Sequence, residues 1–146
     1  MTRSLAKPAA LLFTHATPTG LTGIPRDWTW EQDLRFGRGL VGIARALPWA
    51  MADWMKTMED KYGERAPQLY EDAGLGEART GQNYLRVAER FPPARRHAAL
   101  TFSHHADVLG VEDPAAQDRW LAQAEKQEWT RAELRRRLKG EPASSP

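Results

Sequence analysis

The 146-residue chain contains no cysteine, so disulfides, thiolate nucleophiles and cysteine-based zinc or iron–sulfur sites are excluded. It has no apolar run near the roughly twenty residues that a membrane span requires. The six apolar residues Pro8 to Phe13 follow Arg3 and Lys7, but they are too few for the core of a signal peptide and run into His15 and Thr17. A soluble cytoplasmic protein is expected. Net charge is also small: 21 Lys and Arg against 19 Asp and Glu leave +2, so any attraction to a charged partner must come from how the charge is distributed. A large multidomain enzyme is excluded by length. Six Trp, four Phe and three Tyr nonetheless supply enough bulky apolar surface for a folded core.

Punctuation along the chain predicts an all-α protein. Pro8, Pro18, Gly20, Gly23 and Pro25 break residues 1–27 into an extended arm, in which Leu11 to Thr14 form at most a short strand. A helical domain is expected over 28–140 and a frayed tail over 141–146. Thr29 and Gln32 after Trp28 have capping-box spacing and start a first helix. Its apolar stripe, from Leu34 through Gly37, Leu40, Val41 and Ala44 to Leu47, is expected to stop at Pro48. A second helix, about 49–62, carries Met51, Trp54, Met55, Met58 and Tyr62 on one face and ends at Gly63; the stripe at 51, 54, 55 and 58 is read as core, with a helix–helix dimer seam as the alternative.

A short third helix starts with Pro67 and ends at Gly74, and a longer one runs from about Glu77 to Phe91, where Pro92 and Pro93 stop it. Further starts are expected at Ser103, at Asp113-Pro114 and at Thr130 with Glu133. Trp54, Tyr84, Phe91, Trp120 and Trp129 are the expected aromatic core.

Residues 67–91 have the layout of a helix-turn-helix: a short helix, a glycine turn and a longer helix with two unlike faces. At 100° per residue Tyr84, Val87, Ala88 and Phe91 form an apolar stripe, while Arg79, Asn83, Arg86 and Arg90 gather about 120° away. Arginine forks match guanine edges or phosphates, and the amides of Gln82 and Asn83 match adenine. Arg79, Gln82, Asn83 and Arg86 are therefore the candidate base or phosphate contacts, with Arg90, Arg95 and Arg96 positioning the DNA backbone. From Arg79 to His97 five arginines face Glu89 alone, whereas Glu112 to Glu128 carries five acids against two bases. Arg131, Arg135, Arg136, Arg137 and Lys139 make a second basic strip, which serves phosphate contact or the helix dipole.

Catalytic and cofactor motifs find no anchor. Gly37, Gly39 and Gly42 have dinucleotide-fingerprint spacing without a preceding strand, and close helix packing explains them better. His104 and His105 diverge by 100° on a helix and have no accompanying metal-ligand pattern, so they read as structural histidines. Asp53 has no second acid or base at a fixed spacing and is expected to pair with an arginine. Ser103-His104 has no nucleophile elbow. No enzyme, cofactor or metal is expected.

Asp53-Trp54, Tyr62-Gly63, Asn83-Tyr84, Val87-Ala88, Arg90-Phe91 and Arg95-Arg96, followed by Phe102-Ser103-His104-His105, Trp120-Leu121, Trp129 and Leu134-Arg135, resemble the LmbU-type transcriptional regulators of antibiotic-biosynthesis clusters. The resemblance spans about residues 48–139 and extends to plasmid and phage partition-protein-like helix-turn-helix proteins. It implies a non-enzymatic regulator that binds double-stranded DNA through a central helix-turn-helix. The chain departs from the family at Gly81 and Gln82, where Leu and Arg are expected, and glycine in a helix costs about 1 kcal/mol relative to alanine. A homodimer is expected, because one short helix contacts few bases and a two-fold pair doubles the contacts. The alternative is a phage- or plasmid-encoded adaptor that grips a host protein such as RNA polymerase.

Overall fold

The computed structural model describes residues 16–75 and 78–140, and for residues 78–82 it describes the helix but not the side chains. The protein is all-α, with one small hairpin among the described residues. The chain separates into two compact units, Met1–Leu47 and Pro48–Pro146.

In the first unit β1 (Ala16–Thr17) pairs antiparallel with β2 (Gly20–Leu21), Thr17 opposite Gly20. The Thr17 hydroxyl closes the turn, donating to the Gly20 carbonyl at 3.2 Å and accepting from the Thr19 amide at 3.3 Å. The candidate strand at Leu11 to Thr14 lies outside the described residues. Helix α1 (Trp30–Tyr62) begins as its spacing predicts: the Gln32 amide donates to the Thr29 hydroxyl at 3.2 Å, and the Gln32 side chain accepts from the Thr29 amide at 2.9 Å. Trp28 packs at a tilt against the buried Phe36, with ring centroids 5.3 Å apart. Leu34, Val41 and Leu47, expected on the apolar stripe, are exposed instead, while Phe36 and Gly39 are buried. The glycine-packing expectation also needs correction at Gly37 and Gly42, where an added Cβ meets no atom within 4 Å.

Pro48 does not end the helix. It lies inside α1, contrary to expectation, because a proline removes one N–H from the ladder while helix-favouring residues continue on both sides. The end comes at Gly63, whose φ of +56° is the left-handed conformation that glycine adopts without penalty.

In the second unit a 3-10 turn (Gly63–Arg65) leads into α2 (Ala66–Asp72), which stops at Gly74 with φ +84°. Helix α3 (Ala78–Arg90) ends before Pro92 and Pro93, followed by a 3-10 turn (Pro93–Arg95), α4 (Phe102–Asp107), α5 (Pro114–Lys126) and α6 (Arg131–Leu138). Asp113 caps α5 ahead of Pro114, and the Thr130 hydroxyl accepts the Glu133 amide at 3.2 Å to cap α6. The cap of α4 is Thr101 and not Ser103. Thr101 and His104 form a reciprocal capping box, the imidazole standing in for the usual Glu or Gln.

Two apolar clusters hold this unit. One joins Ala52 of α1 to Val87 and Ala88 of α3, to Phe91 just after it, and to Leu121, Ala124 and Leu134 of α5 and α6. The other packs Met55 against Ala66 and Tyr70, with Met51, Trp54 and Met58 beside it, so the methionine stripe is core as its period predicts. The Tyr70 hydroxyl lies 2.9 Å from the Met55 carbonyl and 2.8 Å from the Glu59 carboxylate, which tethers α2 to α1. Burial, reinforced by Glu59, holds that phenol protonated well above its usual range. Among the expected aromatic core, Phe91 is fully buried, whereas Trp54, Tyr84, Trp120 and Trp129 lie half-buried against the clusters.

Candidate functional site

Helix α3 turns Val87, Ala88 and Phe91 inward, each buried, and leaves Asn83 and Arg86 exposed. This follows from the 3.6-residue period: once the apolar flank is buried, residues about 120° away face outward. Neither the Asn83 nor the Arg86 side chain makes a hydrogen bond or ion pair among the described residues, so an amide and a guanidinium are presented three residues apart on the surface. The side chains of Arg79 and Gln82 lie outside the described residues.

Arg90 is half-buried, and one of its donors goes to the Glu112 carbonyl at 3.1 Å. It belongs partly to the fold.

Arg95 and Arg96, expected to position a DNA backbone, have their guanidiniums committed internally. Pro92 and Pro93 have no N–H, so the last carbonyls of α3 go without the main-chain donors that usually close a helix. Arg95 donates to the Arg90 carbonyl at 2.6 Å, and Arg96 donates to the Phe91 carbonyl at 2.8 Å. Arg95 also reaches the Asp118 carboxylate at 3.0 Å and lies over the Phe91 ring. Arg96 forms a two-pronged pair with Asp53 at 2.9 and 2.6 Å and stacks 4.2 Å above Trp49. Asp53 therefore takes the arginine partner that its setting suggested, and the pair is structural.

The arginines of the C-terminal basic strip are engaged in the same way, whereas Lys139 is exposed and has no side-chain partner among the described residues. Asp107 receives Arg131 at 2.8 Å and Arg135 at 3.4 Å; Glu133 pairs with Arg136 and, at 3.2 Å, with Arg137, whose guanidinium also lies 4.6 Å from the Trp129 ring centre. The Asp107 bonds hold the Arg131 guanidinium above its already high pKa range. Spacing of three and four residues made the Glu133 pairs readable in the sequence. Nothing local pointed to Asp107.

The two central histidines are structural. His105 is fully buried: its Nδ1–H donates to the Thr101 carbonyl at 2.8 Å, and its Nε2 accepts the His97 amide at 3.0 Å. Burial pushes its pKa down to about 4, against the opposing pull of the Thr101 carbonyl. His104 bridges the α4 cap to the Trp129 carbonyl, which lies 3.0 Å from its Nε2. Among the described residues no group of three His, Asp or Glu gathers as a metal would require, and no helix is long and apolar enough to cross a membrane. A shallow hollow of about 260 Å³ lies on the outer side of α2, lined by Tyr62, Arg65, Gln68, Leu69 and Asp72.

No protein-family model matches the chain. No solved structure matches it. It is similar to the transcriptional regulator NovE of Streptomyces niveus, 34% identical over 116 residues that make up 80% of this chain and 52% of that protein. The chain thus spans about half the length of that relative, and the shared portion is long enough to include most of the helical elements described above.

Proposed function

We propose that the chain is a non-enzymatic transcriptional regulator that binds duplex DNA with the outward face of α3, α2 and α3 serving as a helix-turn-helix. The observation that carries this reading is the exposed Asn83 and Arg86, whose side chains have no partner among the described residues, set across the helix from the buried Val87, Ala88 and Phe91. An amide and a guanidinium presented from a rigid helix are the groups that read adenine and guanine in the major groove. Arg79 and Gln82 are proposed contacts on the same helix, and Arg90 a backbone contact through the donors its Glu112 bond leaves over. Arg95 and Arg96 are proposed to act indirectly, by closing the C-terminus of α3 and so holding the reading face in place. The similarity to a protein named as a transcriptional regulator supports the regulatory role. The working form is a homodimer on a two-fold site.

Selection of bound fragments from a random duplex library, followed by anisotropy titration of the winning site, tests the reading. Arg86→Ala or Asn83→Ala is expected to weaken the selected site by about 1–3 kcal/mol and to relax preference at one base pair. Absence of duplex binding at low salt, or affinity that neither variant changes, sinks the proposal and favours an adaptor that grips another protein.

A further inference from the structure

Trp30, Leu34, Gly37, Val41 and Ala44 follow one another at intervals of four, three, four and three residues, the heptad spacing of a helix–helix seam. They lie on the side of α1 away from the buried Phe36 and Gly39. Trp30 is 81% exposed, Val41 59% and Leu34 41%, an amount of apolar surface on one stripe that water does not favour. Gly37 has open space where a side chain would begin, and Ala44 is exposed, so the stripe is narrow at its middle and far end. Asp33 and Arg38 flank it on opposite edges; both are exposed, and neither has a hydrogen-bond or ion-pair partner among the described residues.

We propose that this face of α1 is where a second copy of the chain docks, as a parallel, in-register pair of helices. The charges select that partner and that orientation. In a parallel pair each seam edge sets the residue before one heptad's first core position beside the residue after the next core position of the other helix, which brings Asp33 of each chain against Arg38 of the other. In an antiparallel pair each edge meets its own kind, and Asp33 and Arg38 never meet. Two unsatisfied opposite charges, five residues apart around an exposed apolar stripe, complement a second copy of the same helix. The pairing rests on the dimeric form of the reading above and gives each complex two copies of α3.

The test is the mass of the full chain in solution, measured without nucleic acid so that duplex binding can be scored separately. A mass twice 16.5 kDa is expected at micromolar concentration. Val41→Glu, at an exposed position, should weaken the dimer by more than about tenfold while leaving the circular-dichroism spectrum and melting temperature intact. Asp33→Arg or Arg38→Asp alone should also weaken it several-fold, and Asp33→Arg with Arg38→Asp should restore it. A monomer at these concentrations overturns the proposal, as does a dimer indifferent to Val41→Glu. A dimer that the double exchange fails to restore overturns the parallel register. A monomer that becomes a Val41-dependent dimer only after removal of residues 1–15 identifies the chain's own N-terminal segment as the occupant and likewise overturns it.

Discussion

His105 has one donor and one acceptor, both used: Nδ1–H on the Thr101 carbonyl and Nε2 under the His97 amide. A second proton would have to displace the amide and bring charge into contact with the rings of Trp49 and Phe91. Its folded pKa, about 4, therefore lies below the ordinary value of 6.5, and between the two the unfolded chain binds the extra proton. Stability contributed by this residue is complete above pH 6.5 and falls as pH drops toward 4, by about 3 kcal/mol over the whole window. Urea denaturation at steps from pH 7.5 to pH 5, where carboxylates contribute less, should show the midpoint declining with acid. The decline should shrink in His105→Asn. The neighbouring Arg96 shows how residue type and role part company: a guanidinium suited to phosphate is spent on Asp53, the Phe91 carbonyl and Trp49.

At the scale of the element, the helix starts that could be read in the sequence are those made by side chains within three residues of the backbone they cap. Thr29 with Gln32 and Asp113 with Pro114 act as their spacing predicts, and Thr130 caps the Glu133 amide, but the Glu133 carboxylate turns to Arg136 and Arg137 and does not complete the capping box. Thr130→Ala is expected to cost about 1 kcal/mol in a thermal or urea melt, with Thr130→Ser close to wild type, since only the hydroxyl oxygen is needed. Thr101 was hidden because its reciprocal partner is a histidine, which accepts at Nδ1 the amide hydrogen that Glu or Gln usually takes. Pro48 misled for a related reason. A proline removes one bond from the ladder, yet α1 continues through it, and packing of Met55 against Ala66 and Tyr70 rewards the helix beyond the break. On α3 the buried flank was readable from period alone, whereas the freedom of its polar face depends on which acids come near.

Over the whole molecule the charge count overstates the free cation. Arg95, Arg96, Arg131, Arg135, Arg136 and Arg137 all meet carboxylates, and Arg90 holds a carbonyl, leaving Arg86 as the arginine of α3 that is described, exposed and unpaired. If α3 carries duplex binding, the slope of log affinity against log salt should correspond to only a few neutralised phosphates per chain, shallower than two full basic strips would give. Arg136→Ala should leave the slope unchanged. Arg86→Ala should reduce it by about 1 if that guanidinium sits on phosphate and leave it nearly constant if it reads a base. A wild-type slope as steep as eight or more phosphates would place contacts on cations outside α3.

Helix content, most helix ends and the two-faced character of α3 are properties of short stretches of chain, because caps and the 3.6-residue period act over a few residues and hardly depend on what lies elsewhere. Which arginines remain available was settled by folding. Asp53 stands 43 residues from Arg96, Asp118 stands 23 from Arg95, and Asp107 stands 24 from Arg131, distances over which no local rule pairs one charge with another. Burial of the apolar flanks brought those acids to the arginines, and an ion pair formed that way turns a residue from a surface contact into part of the frame.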